Sequence, residues 1–409
     1  MGHEQASECK TAQARRRCDV WWKVTLAIAL TLAILVAGGL AWLGSYRPRS
    51  IEAPQGVQLS PLRTVTALEA RILLMMTGVH GIPVSNAVDL YRMNYTAQTP
   101  KGAMRLSGLL ALPHVGSARR LVSFQHGTAT TRSAVPSRPD GTGIAAAIAF
   151  AGNGYALIAP DYPGMGDAEG RHPYYVGDAI GPSIVAMIEA AQQLDDVPDA
   201  PVFLAGFSEG AWASLVALRL IENAGGRVLG SAQVAGPYDL RHLSVPTTLR
   251  EPGPSGSLYL AYAAWGQAAY FGKPLDSALD RKYTALVERL FAGAPPEEIV
   301  ASLPKQPREM FVRAFLDAMN GHGAHWLADS FAQNSLIDLT PRAPVRLYYG
   351  AKDVDVPPQE SISAAARMTE RGADVAAIDV GPHPHDASML AAAPLILAWL
   401  NELETESKQ

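Results

Sequence analysis

The stretch VFLAGFSEGAWASLVALRL, Val202 to Leu220, decides how the chain is read. Val202–Phe207 is a short apolar run of strand length, and from Ala211 onward apolar residues recur at helical spacing. Between them, Gly206-Phe207-Ser208-Glu209-Gly210 has the form G-x-S-x-G. In a chain with 36 glycines that pattern alone is weak. Its placement gives it weight, because a strand runs straight in and a helix runs straight out. A strand-to-helix turn this sharp holds its serine in a strained backbone conformation and exposes the hydroxyl as a nucleophile. Neighbouring backbone must pass close by, which suits the absent side chains of Gly206 and Gly210 and the small ones of Ala211 and Ala213. The competing structural reading is that Ser208 merely caps the helix.

Outward from this turn the chain alternates strands and helices. LVSFQ (121–125), YALIAP (155–160) and VLGSAQVAG (228–236) read as buried strands, and 142–154 and 180–194 as helices. Upstream, VDLYRMNYTA (88–97) and MRLSGLLALP (104–113) predict an antiparallel entrance to the sheet. The rhythm breaks between Pro237 and Pro341, where helical segments such as LDRKYTALVERLFAG occur without a convincing strand. It resumes with VRLYYG (345–350), a helix from Gln359, VAAIDVG (375–381) and a last helix ending LILAWLNEL. Short apolar strands alternating with helices predict an α/β fold, a largely parallel sheet covered on both faces. The expected organisation is an α/β core over 87–236 and 341–402, with a helical cap over 237–340. Residues 47–86 precede it as a spacer (47 to about 62) and a helix from Thr66.

Of the 409 residues, 48% are hydrophobic and 18% charged, enough apolar material for a large core. The net charge of -4, with no long run of either sign, excludes the clustered basic face of a nucleic-acid binder. Residues 1–46 differ in kind. Val24–Leu43 holds twenty residues without a charge, enough to cross roughly 30 Å of hydrocarbon as a helix. Lys10, Arg15, Arg16, Arg17 and Lys23 precede it, whereas Arg47 and Arg49 follow, so the positive-inside rule puts the body across the membrane. Trp21, Trp22 and Trp42 sit at its two ends, where indole rings favour the interface. A cleaved signal peptide competes with an uncleaved anchor; the length of the apolar run and the lack of a clean A-x-A site favour the anchor. Cys9 and Cys18 both lie before the segment, so the exported body has no disulfide and rests on packing.

A serine nucleophile needs a base, and the base an orienting carboxylate, here in the chain order Ser, acid, His. Past VRLYYG, Asp353 is the expected acid, with Asp355 as runner-up. After VAAIDVG come His383-Pro384-His385-Asp386; His385, opening the last helix, is preferred over His383 as base. An oxyanion hole would take one N–H from Glu209, the residue after the nucleophile, and one from the loop His126-Gly127-Thr128, with Thr128 chosen. His322 and His325 in GHGAH lack carboxylate neighbours at ligand spacing, so no metal site is expected.

With these residues placed, the chain resembles the secretory-lipase and bacterial-esterase branch of the α/β-hydrolase superfamily. SGLLALP (107–113), FQHGT (124–128), APDYPGMGDAEGRHPY (159–174), GFSEG (206–210), AGPYDL (235–240), Asn334-Ser335-Leu336 and YYGAKDVDVP (348–357) carry the resemblance in that order. It spans about 88 to 402 and implies a helical cap, a triad of Ser208, Asp353 and His385, and no cofactor. The doubled histidine of HPHD departs from the pattern. The expected function is hydrolysis of a small-molecule or lipid ester, with Tyr259, Tyr262, Trp265, Tyr270 and Phe271 lining an apolar pocket. A peptidase or acyltransferase using the same residues, or a tethered non-catalytic binding protein, are the alternatives.

Overall fold

A computed structural model describes residues 30–31, 46–138 and 143–408. Two compact units are distinguished, 1–47 and 48–409, and the second is described below. Among the described residues no helix is long and apolar enough to cross a membrane. The expected segment 24–43 lies, apart from Leu30 and Thr31, outside the described residues.

Strands β2 (Val88–Thr99) and β3 (Gly102–Pro113) form a hairpin in unbroken register, from Val88 opposite Pro113 to Thr99 opposite Gly102. Its turn closes on Gly102 at φ +105°, a conformation that disfavours a side chain. A strand β1, Gln58–Val65, pairs antiparallel with β2. This corrects the expected spacer: Pro, Gly and Ser around it mask a strand. Pro61 sits where the register shifts between Pro61 and Arg63, on the sheet edge, where a residue without an N–H is tolerated. Helix α1, Ala67–Met76, follows at once, capped by the Thr66 hydroxyl accepting from Glu69 N–H.

The rest alternates: β4 (Leu121–Gln125), α2 (Ile144–Ala151), β5 (Ala156–Pro160), α3 (Gly177–Gln192), β6 (Val202–Phe207), α4 (Glu209–Asn223) and β7 (Val228–Val234). Helices α5 (Val245–Arg250), α6 (Gly256–Phe271), α7 (Arg281–Leu290), α8 (Pro296–Ser302), α9 (Arg313–Met319) and α10 (Trp326–Gln333) fill the interval before β8 (Val345–Tyr349). Then come α11 (Gln359–Glu370), β9 (Val375–Asp379) and α12 (His385–Glu406). The sheet order is β1-β2-β3-β5-β4-β6-β7-β8-β9, antiparallel as far as β5 and parallel beyond it.

Alternation along each strand sorts side chains to two cores. Val122, Phe124, Leu157, Phe203 and Ala205 pack with α1, α2 and α12. Leu121, Ile158 and Leu204 pack with α3, α4 and the helices of the insertion. Each of these valine, leucine, isoleucine and phenylalanine side chains contributes about 1.5–3 kcal/mol by leaving water. The chain reverses its order of addition at β4, so a crevice opens beyond the carboxyl ends of β4 and β6, where Gln125 pairs with Gly206. That register sets His126-Gly127-Thr128 beside Phe207-Ser208.

The inserted helices are tied to the core at their far end. Asn334 accepts from Gly177 N–H at 2.8 Å through its side chain and from Trp212 Nε1–H at 2.8 Å through its carbonyl. Leu336 N–H donates to Tyr238 carbonyl at 2.7 Å. Glu360 accepts from the N–H groups of Tyr238 and Asp239 at 2.8 and 3.0 Å, and burial pushes its carboxyl up to about 7. A carboxyl whose affinity for a proton rises on folding stabilises the fold below its unfolded value and loses that contribution as pH climbs through the folded one. Stability should therefore fall by about 3 kcal/mol between roughly pH 4.5 and 7, and Glu360→Gln should flatten that slope in urea titrations.

Candidate active site

Ser208 stands between β6 and α4 at φ 56°, ψ -121°, a combination that costs a non-glycine residue on the order of 1–3 kcal/mol. Its N–H donates to Val234 carbonyl at 2.9 Å, which locks the turn to β7. The flanking glycines are obligatory. A Cβ on Gly206 would lie 2.2 Å from Gly210 carbonyl oxygen, and one on Gly210 would lie 2.0 Å from that of Gln125.

His385 reaches Ser208 from the first turn of α12, its Nε2 lying 2.9 Å from Ser208 Oγ. Its Nδ1 lies 2.7 Å from Asp353 Oδ2. A carboxylate only accepts, so Nδ1 carries the proton and Nε2 presents a lone pair to the hydroxyl. The other carboxylate oxygen, Asp353 Oδ1, accepts from the N–H groups of Asp355 and Val356 at 3.0 and 2.9 Å. The loop after β8 thus turns the Asp353 carboxylate inward. Ser208, Asp353 and His385 are 6%, 4% and 7% exposed, so their interactions act in a weakly screened medium.

The side chains of the two alternatives make no hydrogen bond to Ser208 or His385 among the described residues. His383 meets the loop after β8 through its carbonyl, which accepts from Lys352 N–H at 3.2 Å. Gly350 is what lets that carbonyl approach, since a Cβ there would sit 2.3 Å from it. Asp355 joins the lining of the space over Ser208, and burial raises its carboxyl, with Asp353 adding to the rise against His385. For His385, burial works against the protonated ring, but the hydrogen bond and charge of Asp353 outweigh it, aided by Asp355 and Asp386. The imidazole is raised above its usual value.

Thr128 Oγ1 lies 2.7 Å from Tyr174 Oη. The preceding carbonyl, Gly127, accepts from His126 Nδ1–H at 2.7 Å, which fixes the Gly127–Thr128 peptide and leaves Thr128 N–H on the opposite side of that trans plane. Glu209 opens α4, so its N–H is one of the first four that no intrahelical carbonyl satisfies. Its side chain does something the sequence reading missed. Glu209 Oε1 lies 2.6 Å from His172 Nε2, both groups fully buried, while His172 Nδ1 donates to Pro163 carbonyl at 3.0 Å. Both ring nitrogens therefore face oxygen atoms of neighbouring groups. The pair ties the loop after β5 to the helix of Ser208. Tyr162, at φ 73°, stacks between the rings of His126 and His172 at 4.3 and 5.7 Å. The RHPY stretch signalled its loop, but not the partner.

The space over Ser208 is small, about 50 Å³, with Tyr174, Tyr175, Leu240, Tyr259 and Phe331 among its walls. Of the five cap aromatics expected to line a pocket, Tyr259 lines this one. Tyr262 donates to Ala129 carbonyl and stacks on Trp265, whose Nε1–H donates to Glu288. Tyr270 and Phe271 lie in the last turn of α6, with Phe271 exposed. His325 caps α10, accepting from Leu327 N–H, and its Nε2 donates to Ser277 carbonyl.

The model of the alpha/beta hydrolase family matches residues 126–395. Among solved structures, a protein from Legionella pneumophila, whose own description as a hydrolase is a proposal, is 27% identical with a TM-score of 0.76. That match covers 85% of this chain and 97% of the other. The rice cell wall degrading esterase LipA from Xanthomonas oryzae is 21% identical with a TM-score of 0.73, covering 85% and 98%. Candida antarctica lipase A in its closed state is 15% identical with a TM-score of 0.66, covering 88% and 85%. No curated protein matches the sequence.

Proposed function

The chain belongs to the α/β-hydrolase family, and on that premise we propose that it hydrolyses carboxylic esters by two-step acyl transfer through Ser208. The observation that carries the reading is the continuous relay from Ser208 Oγ through His385 to Asp353, at 2.9 and 2.7 Å. His385 Nε2 takes the hydroxyl proton as Ser208 Oγ bonds to the ester carbonyl carbon. The N–H groups of Thr128 and Glu209 hold the resulting oxyanion, each worth roughly 3 kcal/mol where water is excluded. The tetrahedral species collapses, the carbon–oxygen bond to the alcohol breaks, and His385 passes its proton to the departing oxygen. Water, deprotonated by the same imidazole, then releases the acid. Asp353 holds the tautomer that makes both transfers possible.

That one structural neighbour is an esterase and another a lipase supports esters, small-molecule or lipid, over other acyl compounds. Residues 24–43 would tether the enzyme to a membrane with its active site on the extracytoplasmic side, by the charge bias of the flanks. Hydrolysis of p-nitrophenyl esters from acetate to palmitate by the full chain tests the reading. Turnover of at least one member is expected, and inertness of the folded protein towards all of them contradicts it. Because the base must be neutral, kcat/KM should rise with pH, with a midpoint above the usual imidazole value of about 6.5. Asp355→Asn should bring that midpoint down, as it removes one of the charges that favour protonation.

A further inference from the structure

On the face of the sheet that packs with α2 and α12 lies a second cavity, of about 170 Å³. Phe124, Ala149, Phe150, Met389 and Ala393 are among its walls, and the side chains that line it are apolar except for His126. Gly127 and Phe207 close it at the carboxyl edge of β4 and β6. Both belong to the site already described. Gly127 precedes the oxyanion donor Thr128, and Phe207 precedes the nucleophile. The Phe207 ring is 4.8 Å from the His385 ring, and a Cβ on Gly127 would come within 3.0 Å of it. One aromatic ring thus partitions this cavity from the reacting groups.

A hydrocarbon-lined space of this size resembles the roughly 150 Å³ cavity that stays dry and takes up benzene. It would hold a ring or a chain of about six to eight carbons. The space over Ser208 on the cap side, at about 50 Å³, is less than a third as large and suits a short acyl group. Resting on the esterase reading above, we propose that the larger cavity receives the hydrocarbon part of the ester's alcohol, so that the preferred substrates are short-acyl esters of apolar alcohols. The assignment to the alcohol follows from His385. It delivers the proton to the leaving oxygen, so the leaving group stands against the imidazole, and the wall beside the imidazole is Phe207. Phe207 is half-buried, and its ring would have to turn aside for the alcohol to reach this cavity from Ser208.

The test compares kcat/KM of the full chain on ethyl acetate, octyl acetate and ethyl octanoate. Each buried methylene is worth about fourfold, so octyl acetate should exceed ethyl acetate by about 100-fold or more, while ethyl octanoate should not. Ala149→Leu and Ala393→Leu fill the cavity from different helices, away from the reacting groups. Each should lower kcat/KM for octyl acetate by about 10-fold or more and leave ethyl acetate within about twofold, which also shows that the variants fold. Losses confined to ethyl octanoate, or octyl acetate unaffected by both substitutions, overturn the assignment while the esterase reading stands. If the parent turns over none of the three esters, both fall together.

Discussion

Ser208→Ala should lower kcat for ester hydrolysis by about 10⁴ to 10⁶, with melting temperature and far-ultraviolet circular dichroism close to those of the parent. The size of the effect follows from the geometry. Without Oγ there is no atom within reach of His385 Nε2 that can form the acyl bond, and the oxyanion donors alone can only assist water. The backbone at φ 56° is held by Gly206, Gly210 and the Ser208 N–H bond to Val234, none of which needs the hydroxyl. A change of less than tenfold in kcat would contradict the assignment of Ser208 as the nucleophile, since its side chain makes no capping bond to α4 either.

The second large effect is expected at Asp353. In Asp353→Asn the two backbone N–H groups of Asp355 and Val356 still require an acceptor, so the amide oxygen stays with them and the NH₂ turns to His385 Nδ1. Nδ1 must then accept, the ring proton moves to Nε2, and the nitrogen facing Ser208 can no longer take a proton. Such a tautomer reversal costs about 10⁴ in kcat. Asp355→Asn is the control: its carboxylate touches no ring nitrogen, so its effect should stay within about tenfold beyond the shift in pH midpoint. Stopped-assay kinetics on one p-nitrophenyl ester at several pH values separates the two. Equal losses at the two positions would contradict the assignment of Asp353 as the orienting group.

The parts of this site that local sequence could convey were those written in short spacings. Val202–Leu220 shows a strand, a glycine-flanked serine and a helix in nineteen consecutive residues, and the structure places β6, Ser208 and α4 there. The choice between Asp353 and Asp355, or His383 and His385, lies beyond local pattern. Residues two apart in a loop differ only in where the backbone turns them, and that is set by Asp353 accepting from the following amides and by Gly350 admitting His383 carbonyl. The His172–Glu209 pair joins positions 37 apart through a loop and a helix start, with no periodicity to announce it. Strand β1 was hidden for the opposite reason: its local composition says spacer, and only pairing with β2 makes it a strand. Five aromatics in the cap looked alike in sequence, yet Tyr259 lines the space over Ser208, whereas Tyr262 and Trp265 stack on each other beside a separate cavity.

The central claim is that Ser208 is a nucleophile activated by His385, and covalent trapping tests it most directly. The full chain would be incubated with a p-nitrophenyl alkylphosphonate, digested, and mapped by mass spectrometry. The account predicts stoichiometric release of p-nitrophenol, one phosphonyl group on the peptide that holds Ser208, and loss of labelling in both Ser208→Ala and His385→Ala. Labelling of the folded protein at another residue, or none at all under conditions that label a known serine esterase, would contradict it.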